Sequence, residues 1–126
     1  MIVLDTSALL FWTLDPSALS AQAQQAIEQA DKILVSSISI WEIGLKVKRG
    51  KLKIPITIDD YIERLNRVEK LDIISVDVQT WLANLELDWE HRDPADRTIV
   101  ALAAQKECPL VTSDGVIANF YPRTIT

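Results

Sequence analysis

Two short apolar runs, residues 2–4 and 110–111, each lead directly into a polar segment that contains an aspartate. Asp5 follows the first run, and Asp114 follows the second after Thr112 and Ser113. A few β-forming residues with such an ending are typical of a buried parallel strand. Ligands bind at the C-terminal edge of open α/β sheets, especially where the strand order reverses. The pattern therefore predicts a parallel sheet with an acidic binding edge.

The length and composition predict a single domain over residues 1–126. A chain of 126 residues that is 48% hydrophobic can form one core but not two. No apolar stretch comes near the roughly 18 residues that cross a membrane, so we expect no membrane association. The chain begins with a strand pattern, lacks a basic leader and has one cysteine, Cys108. We therefore expect a cytoplasmic protein without disulfides.

The charge pattern argues against one class of nucleic-acid-binding protein. Thirteen Lys and Arg against 18 Asp and Glu give a net charge of −5, whereas proteins that coat nucleic acid carry a basic face. The net negative charge is compatible with an enzyme that acts on nucleic acid, since clustered metal-binding carboxylates would themselves supply negative charge. Five cations are concentrated in residues 46–53, which form either a solvated helix end or a patch that contacts phosphate.

Strand and helix patterns alternate along the chain. Strands are predicted at residues 2–4, 33–35, 73–76 and 110–112, with a possible fifth at 124–126. Apolar residues recur at helical spacing in residues 19–30 and 58–68, and residues 99–104 are apolar on every side, which predicts a buried helix. This alternation implies right-handed crossovers and helices on both faces of a parallel sheet, the α/β class.

Each acid near a predicted strand end has an ordinary structural explanation when taken alone. Asp5 is suited to cap the helix after the first strand, and Asp114 to form a turn. Glu42 fits the third helical position of a capping box that begins at Ser39.

The acids Asp93 and Asp96 fit the beginning of a helix. Asp93 is suited to the cap, with Pro94 at the first helical position, and Asp96 then lies near the positive end of the helix dipole.

Taken together, four of these acids indicate a metal site. Asp5 and Asp114 end strands that are neighbours if the first strand is central, and Asp96 opens the helix that leads into the Asp114 strand. Glu42 lies among large apolar residues, where an unpaired charge is costly. Carboxylates that share a pocket repel one another, so some protonate or the cluster recruits a cation. Oxygen ligands without a His or Cys cluster select a hard ion, Mg²⁺ or Mn²⁺.

Four segments in order give the chain a resemblance to a known family over essentially its whole length. They are residues 2–7, 37–43, 91–97 and 110–114. None is specific alone, but together they resemble the PIN-domain ribonucleases, and most closely the VapC toxins of bacterial and archaeal toxin–antitoxin pairs. The resemblance implies a three-layer α/β/α sandwich whose central parallel sheet has the order 3-2-1-4-5, with Asp5 and Asp114 side by side at the switch point.

The resemblance also implies an activity and the residues that carry it. The activity is Mg²⁺- or Mn²⁺-dependent hydrolysis of RNA phosphodiesters, and the catalytic acids are Asp5, Glu42, Asp96 and Asp114. Asp5, Asp96 and Asp114 would hold the ion, while Glu42 would orient or deprotonate the attacking water. Asp93 competes with Asp96 for the third metal-site position, and Asp77 is left as a helix cap.

Further side chains are expected to support the acids or to contact the substrate. They are Thr6, Ser7, Asp93, Arg97, Thr112 and Ser113. His91, the one histidine, is interpreted as an exposed loop residue, and the four tryptophans mostly as core residues.

The partners implied are RNA, a VapB-like antitoxin and a second copy of the chain. The apolar stretches at residues 9–12 and 82–89 either belong to the core or bind in a homodimer or under an antitoxin peptide.

Three other functions stay open. A housekeeping PIN-domain nuclease of RNA processing would have the same site without an antitoxin. A non-enzymatic receiver-like signalling module also gathers acids and Mg²⁺ at strand ends, but its late strand ends in a lysine that this chain lacks. A phosphatase of the Asp-x-Asp type needs an acid at position 7, which is Ser7 here.

Overall fold

Five strands form one parallel sheet in the order β3-β2-β1-β4-β5. In the computed structural model, which describes residues 1–126, the strands are β1 (Ile2–Leu4), β2 (Ile33–Ser36), β3 (Leu71–Ile74), β4 (Leu110–Val111) and β5 (Thr124–Ile125). The central strand β1 is hydrogen-bonded to β2 on one side and to β4 on the other. The predicted order is therefore confirmed, and Asp5 follows a strand with neighbours on both sides.

Seven α-helices connect the strands. They are α1 (Thr6–Leu14), α2 (Ala21–Gln29), α3 (Ser37–Lys48), α4 (Ile58–Asn66), α5 (Val78–Glu86), α6 (Pro94–Lys106) and α7 (Gly115–Phe120). A single 3₁₀ turn, Pro16–Ala18, follows α1. None of the helices has the length and apolar character needed to span a membrane.

Successive residues of β1 point to opposite faces of the sheet, and each face carries its own apolar core. Ile2 and Leu4 belong to the core that includes buried residues of α1, α2 and α4. Val3 belongs to the core that includes buried residues of α6 and α7. Helix α6 is buried without a break from Thr98 to Ala103, as its all-apolar sequence predicts. The molecule is thus the expected three-layer α/β/α sandwich.

Strand β3 lies two residues earlier than predicted. It spans Leu71–Ile74 rather than residues 73–76. Leu71 is buried, whereas Asp72 is exposed and pairs at 3.0 Å with Lys32, which directly precedes β2. An edge strand tolerates such an acid because one of its faces can contact solvent, so the apolar run alone misplaces the strand.

Candidate active site

The Asp5 carboxylate lies at the C-terminal end of β1 and both of its oxygens accept hydrogen bonds. Oδ1 accepts from the Ala8 amide at 2.8 Å, which makes Asp5 the N-cap of α1. Oδ2 accepts from the Thr112 hydroxyl at 2.5 Å. The residue is only 4% exposed. The predicted cap is confirmed, and the same side chain is a deeply buried acid between two strand ends.

Burial raises the pKa of Asp5 to about 6. The hydrogen bonds from Thr112 and Ala8 act in the opposite direction, since they stabilise the ionised form. The negative charges of Asp96 and Asp114 raise this pKa further. The negative charges of three of the predicted acids, Asp5, Asp96 and Asp114, therefore act on one another.

The Asp96 carboxylate lies in the first turn of α6 and contacts His91. Its Oδ2 lies 2.7 Å from Nε2 of His91, and both side chains are mostly buried. Burial raises the pKa of Asp96, the contact with His91 lowers it, and the charges of Asp93 and Asp114 raise it. The interpretation of His91 as an exposed loop residue was wrong, because the loop before α6 folds back onto this acid.

Asp93 and Asp114 both act as helix caps. Asp93 accepts from the Asp96 amide at 3.0 Å and begins α6. Asp114 accepts from the Val116 amide at 2.8 Å and begins α7, so it is a helix cap rather than a simple turn residue. Of the two acids at the start of α6, Asp96 is the one whose charge acts on Asp5.

Glu42 lies on α3, on the wall of a cleft that it shares with Asp93. The capping box predicted for Ser39 and Glu42 was wrong. Helix α3 begins at Ser37, and Ser36 is its cap, accepting from the Ile38 amide at 3.2 Å. The helix starts earlier than expected because β2 extends to Ser36 and passes directly into it. Glu42 makes no side-chain hydrogen bond within the protein, so its carboxylate is available to a ligand.

The predicted hydroxyl residues fall into two groups. Thr6 is buried and donates to the Ser39 hydroxyl at 2.9 Å, which ties α1 to α3. Thr112 is buried between the acids described above. Ser7 and Ser113 are exposed. Sequence reasoning placed Ser39 in the capping box and missed this buried contact, for which the chain gives no local signal.

The Arg97 guanidinium is fully engaged in holding the loop before α6. It donates five hydrogen bonds, to the side chain and carbonyl of Asn84 and to the carbonyls of Leu87, Trp89 and His91. Its donors are therefore occupied within the protein. Of the two roles predicted for Arg97, the structure favours support of the acids over contact with substrate.

The tryptophans are less buried than predicted. Trp41 is 59% exposed and Trp81 is 43% exposed, while Trp12 and Trp89 are partly buried. The interpretation as core residues was wrong for Trp41 and Trp81, because the solvent-facing sides of α3 and α5 are themselves apolar at these positions. Trp89 stacks on Phe120 with ring centroids 4.5 Å apart.

The fold and the acidic edge define a class of protein, and the comparison with known families agrees. The PIN-domain family model matches residues 2–121, so the chain belongs to the PIN-domain family. It is 29% identical over 126 residues to ribonuclease VapC22 of Mycobacterium tuberculosis, covering 99% of this chain and 96% of that relative.

Solved structures show the same fold. A toxin–antitoxin complex from Klebsiella pneumoniae has a chain that matches with a TM-score of 0.71 at 18% identity, over 100% of this chain and 97% of that one. VapC20 of Mycobacterium tuberculosis, described as a toxin that cleaves the sarcin–ricin loop, matches with a TM-score of 0.66 at 16% identity, over 94% of each chain. The three-layer arrangement with β1 at its centre is therefore the arrangement of these toxins.

Proposed function

We propose that this protein is a Mg²⁺- or Mn²⁺-dependent endoribonuclease and the VapC-type toxin of a toxin–antitoxin pair. The observation that carries the proposal is the Asp5 carboxylate at the C-terminal edge of the central strand, which is 4% exposed and whose pKa is raised by burial and, to a smaller extent, by the charges of Asp96 and Asp114. Membership of the PIN-domain family and the similarity to a VapC ribonuclease support it.

The chemistry of the donors fits a hard divalent ion. No three His, Cys, Asp or Glu side chains lie close enough together to hold a metal ion in this structure. Instead each acid is turned to a hydrogen-bond partner: Asp5 to Thr112, Asp96 to His91 and Asp114 to a helix amide. All the acids offer oxygen ligands, and a cation would relieve the repulsion among their negative charges. Asp5, Asp96 and Asp114 would hold it.

The protein's own residues prepare this site for hydrolysis. When bound, the ion would supply a polarised water and neutralise charge on the phosphate. Thr112 and the Ala8 amide fix the orientation of Asp5, while Arg97 holds the loop that places His91 against Asp96. Glu42 has no internal partner and accepts a proton from the attacking water in this mechanism.

The test is cleavage of a labelled structured RNA with Mg²⁺ or Mn²⁺ present and with EDTA. We expect cleavage only with the ion, and loss of cleavage in Asp5→Asn. Asp77→Asn is the matched control, because Asp77 also caps a helix after a strand but lies beside the edge strand β3. Retained cleavage in Asp5→Asn, with the fold intact by circular dichroism, would contradict the assignment.

A second experiment separates a toxin from a housekeeping nuclease or a receiver-like module. Induced expression in a bacterial host should arrest growth, and Asp5→Asn should not. If a small reading frame next to the gene encodes the antitoxin, its coexpression should restore growth and yield a complex that copurifies. Cleavage without growth arrest would favour the housekeeping nuclease, and ion binding without cleavage would favour the signalling module.

Helix α5 offers a surface for the second copy that the sequence leads us to expect. Its exposed apolar residues follow the spacing of one helical face: Val78, Trp81, Leu82 and Leu85. An apolar stripe is self-complementary, as a two-fold interface requires. We expect a dimer in solution by light scattering and a monomer for Leu85→Asp. A dimer unaffected by this substitution would place the dimer interface elsewhere, and the apolar stripe of α5 would then be a candidate binding surface for the antitoxin.

A further inference from the structure

A cleft of about 280 Å³ lies between the C-terminal half of α3 and the beginning of α6. Lys46, Arg49 and Lys51 line it from the side of α3. Asp93 and Ala95 line it from the side of α6, and Glu42 lies on its wall. We call this feature the α3–α6 cleft.

The three cations of the α3–α6 cleft have no partners within the protein. The ion pairs of the structure lie elsewhere, and none of these three side chains donates a hydrogen bond. This holds although Glu42 and Asp93 line the same cleft. In a chain with a net charge of −5, the cleft therefore carries a local excess of positive charge that is available to an anion.

The backbone fixes two of these cations beside each other. After α3 ends at Lys48, Gly50 adopts a left-handed conformation with φ 70°. The Lys51 amide then donates to the Lys46 carbonyl at 2.9 Å, and the Gly50 amide donates to that of Val47 at 3.1 Å. This pair of bonds is a Schellman motif, which reverses the chain at a helix end. The motif places the backbone of Lys51 next to that of Lys46, because one hydrogen bond joins the two residues.

The cleft is continuous in sequence with the acidic site. Asp93 and Ala95 on its wall flank the first turn of α6, in which Asp96 lies. An extended polyanion that fills the cleft therefore contacts the beginning of α6, the helix whose first turn carries Asp96. Phosphate oxygens accept charge-assisted hydrogen bonds from Lys and Arg, and RNA presents such oxygens at regular intervals.

We propose that the α3–α6 cleft binds backbone phosphates of the RNA substrate next to the bond that is cleaved, through Lys46, Arg49 and Lys51. The proposal rests on the proposed ribonuclease function. The remaining cations of the run, Lys48 and Lys53, do not line the cleft, so they provide a control of equal charge.

The test compares two double variants in an Asp5→Asn background, which binds RNA without cutting it. Fluorescence polarisation of a labelled single-stranded oligoribonucleotide is measured over a range of salt concentrations. We expect Arg49→Ala with Lys51→Ala to weaken binding about tenfold and to lower the magnitude of the salt slope by about 1.4, since each contact to a single strand contributes about 0.7. Lys48→Ala with Lys53→Ala removes the same charge and should change binding less than about threefold.

Kinetics of the active protein give a second readout. Arg49→Ala with Lys51→Ala should raise KM with little change in kcat, because the contacts bind ground state and transition state alike. Arg49→Lys should keep most of the affinity, since it keeps the charge.

Two results would overturn the proposal. Equal weakening in both double variants would show a general charge effect and leave the proposed ribonuclease function standing. Unchanged RNA binding in Arg49→Ala with Lys51→Ala, together with lost binding of a polyglutamate peptide, would make the cleft a site for an acidic protein segment. Failure of the unsubstituted protein to bind or cut any RNA would refute the ribonuclease function itself, which distinguishes the two failures.

Discussion

The Thr112 hydroxyl donates a 2.5 Å hydrogen bond to the Asp5 carboxylate across the boundary between β4 and β1. The same hydroxyl oxygen accepts from the Asp114 amide at 3.0 Å. One threonine thus connects two of the acids that are expected to act together. Its position at the end of β4 shows how neighbouring parallel strands bring distant parts of the chain into one site.

The raised pKa of Asp5 predicts a pH-dependent stability. The pKa rises from 3.8 to about 6 on folding, so the folded state binds this proton more tightly than the unfolded state. The contribution of Asp5 to the free energy of unfolding is therefore fully present below pH 4. It is lost as the pH rises through about 6, and the total loss is about 3 kcal/mol. In EDTA, Asp5→Asn should be more stable than the unsubstituted protein at pH 7, and the difference should vanish near pH 4. Urea unfolding at several pH values measures it.

Variants at Thr112 provide the control for this effect. Thr112→Val removes a hydrogen bond that lowers the pKa of Asp5, so the loss of stability should extend to higher pH. Thr112→Ser keeps the hydroxyl and should leave the profile unchanged. An identical profile for Thr112→Val and Asp5→Asn would show that another group causes the dependence.

Divalent ions should stabilise the fold through the same acids. At pH 7 a bound cation relieves the repulsion among Asp5, Asp96 and Asp114, and a ligand that binds only the folded state raises Tm. Millimolar Mg²⁺ or Mn²⁺ should therefore raise Tm by several degrees over EDTA at matched ionic strength. Asp77→Asn should show the same rise and Asp5→Asn a much smaller one. Equal rises in both variants would place the ion elsewhere.

Arg97 should be required for stability and for the position of His91. Arg97→Lys cannot reproduce five hydrogen bonds from a planar guanidinium, and it leaves buried carbonyls without donors. We expect a loss of about 3 kcal/mol in the free energy of unfolding. Arg92→Lys, at an exposed position without a hydrogen bond, should change it by less than about 0.5 kcal/mol. Similar small effects for both variants would contradict a supporting role.

Two glycines in and after α3 should respond in opposite ways to the same substitution. Gly50→Ala forces an L side chain into a left-handed conformation and should cost about 1 kcal/mol of stability. At Gly44 an added Cβ would meet only Ile58 at 3.8 Å, which is ordinary contact. Gly44→Ala should therefore stabilise by about 0.5–1 kcal/mol, because alanine favours the helix. Thermal unfolding of both variants checks the sign.

The class of the sheet and the edge that carries Asp5 and Asp114 could be predicted because their signals are local. Each apolar run leads into a polar segment with an acid, and parallel strands bring their C-terminal ends to one edge. Asp5 and Asp114 are neighbours only if β1 is central, which the residues themselves do not decide. The position of Asp96 in the first turn of a helix could also be predicted, because the Asp93-Pro94 pair before it is typical of a helix start. The order of the strands came from the resemblance to a family.

The contacts around His91 could not be predicted in this way. They depend on a loop that Arg97 holds through hydrogen bonds to the carbonyls of Trp89 and His91. Since every residue has a backbone carbonyl, no residue type in the sequence indicates which residues accept from Arg97. The predicted position of β3 was wrong for a related reason. Asp72 interrupts the apolar pattern of this strand, but Lys32, which directly precedes β2, pairs with it.

The hydrogen bond between Thr112 and Asp5 also affects the stage of folding at which the acidic centre forms. Asp5 and Thr112 lie 107 positions apart in the chain. Because pairing of β4 with β1 closes such a long loop, the acidic centre forms only in a late step of folding.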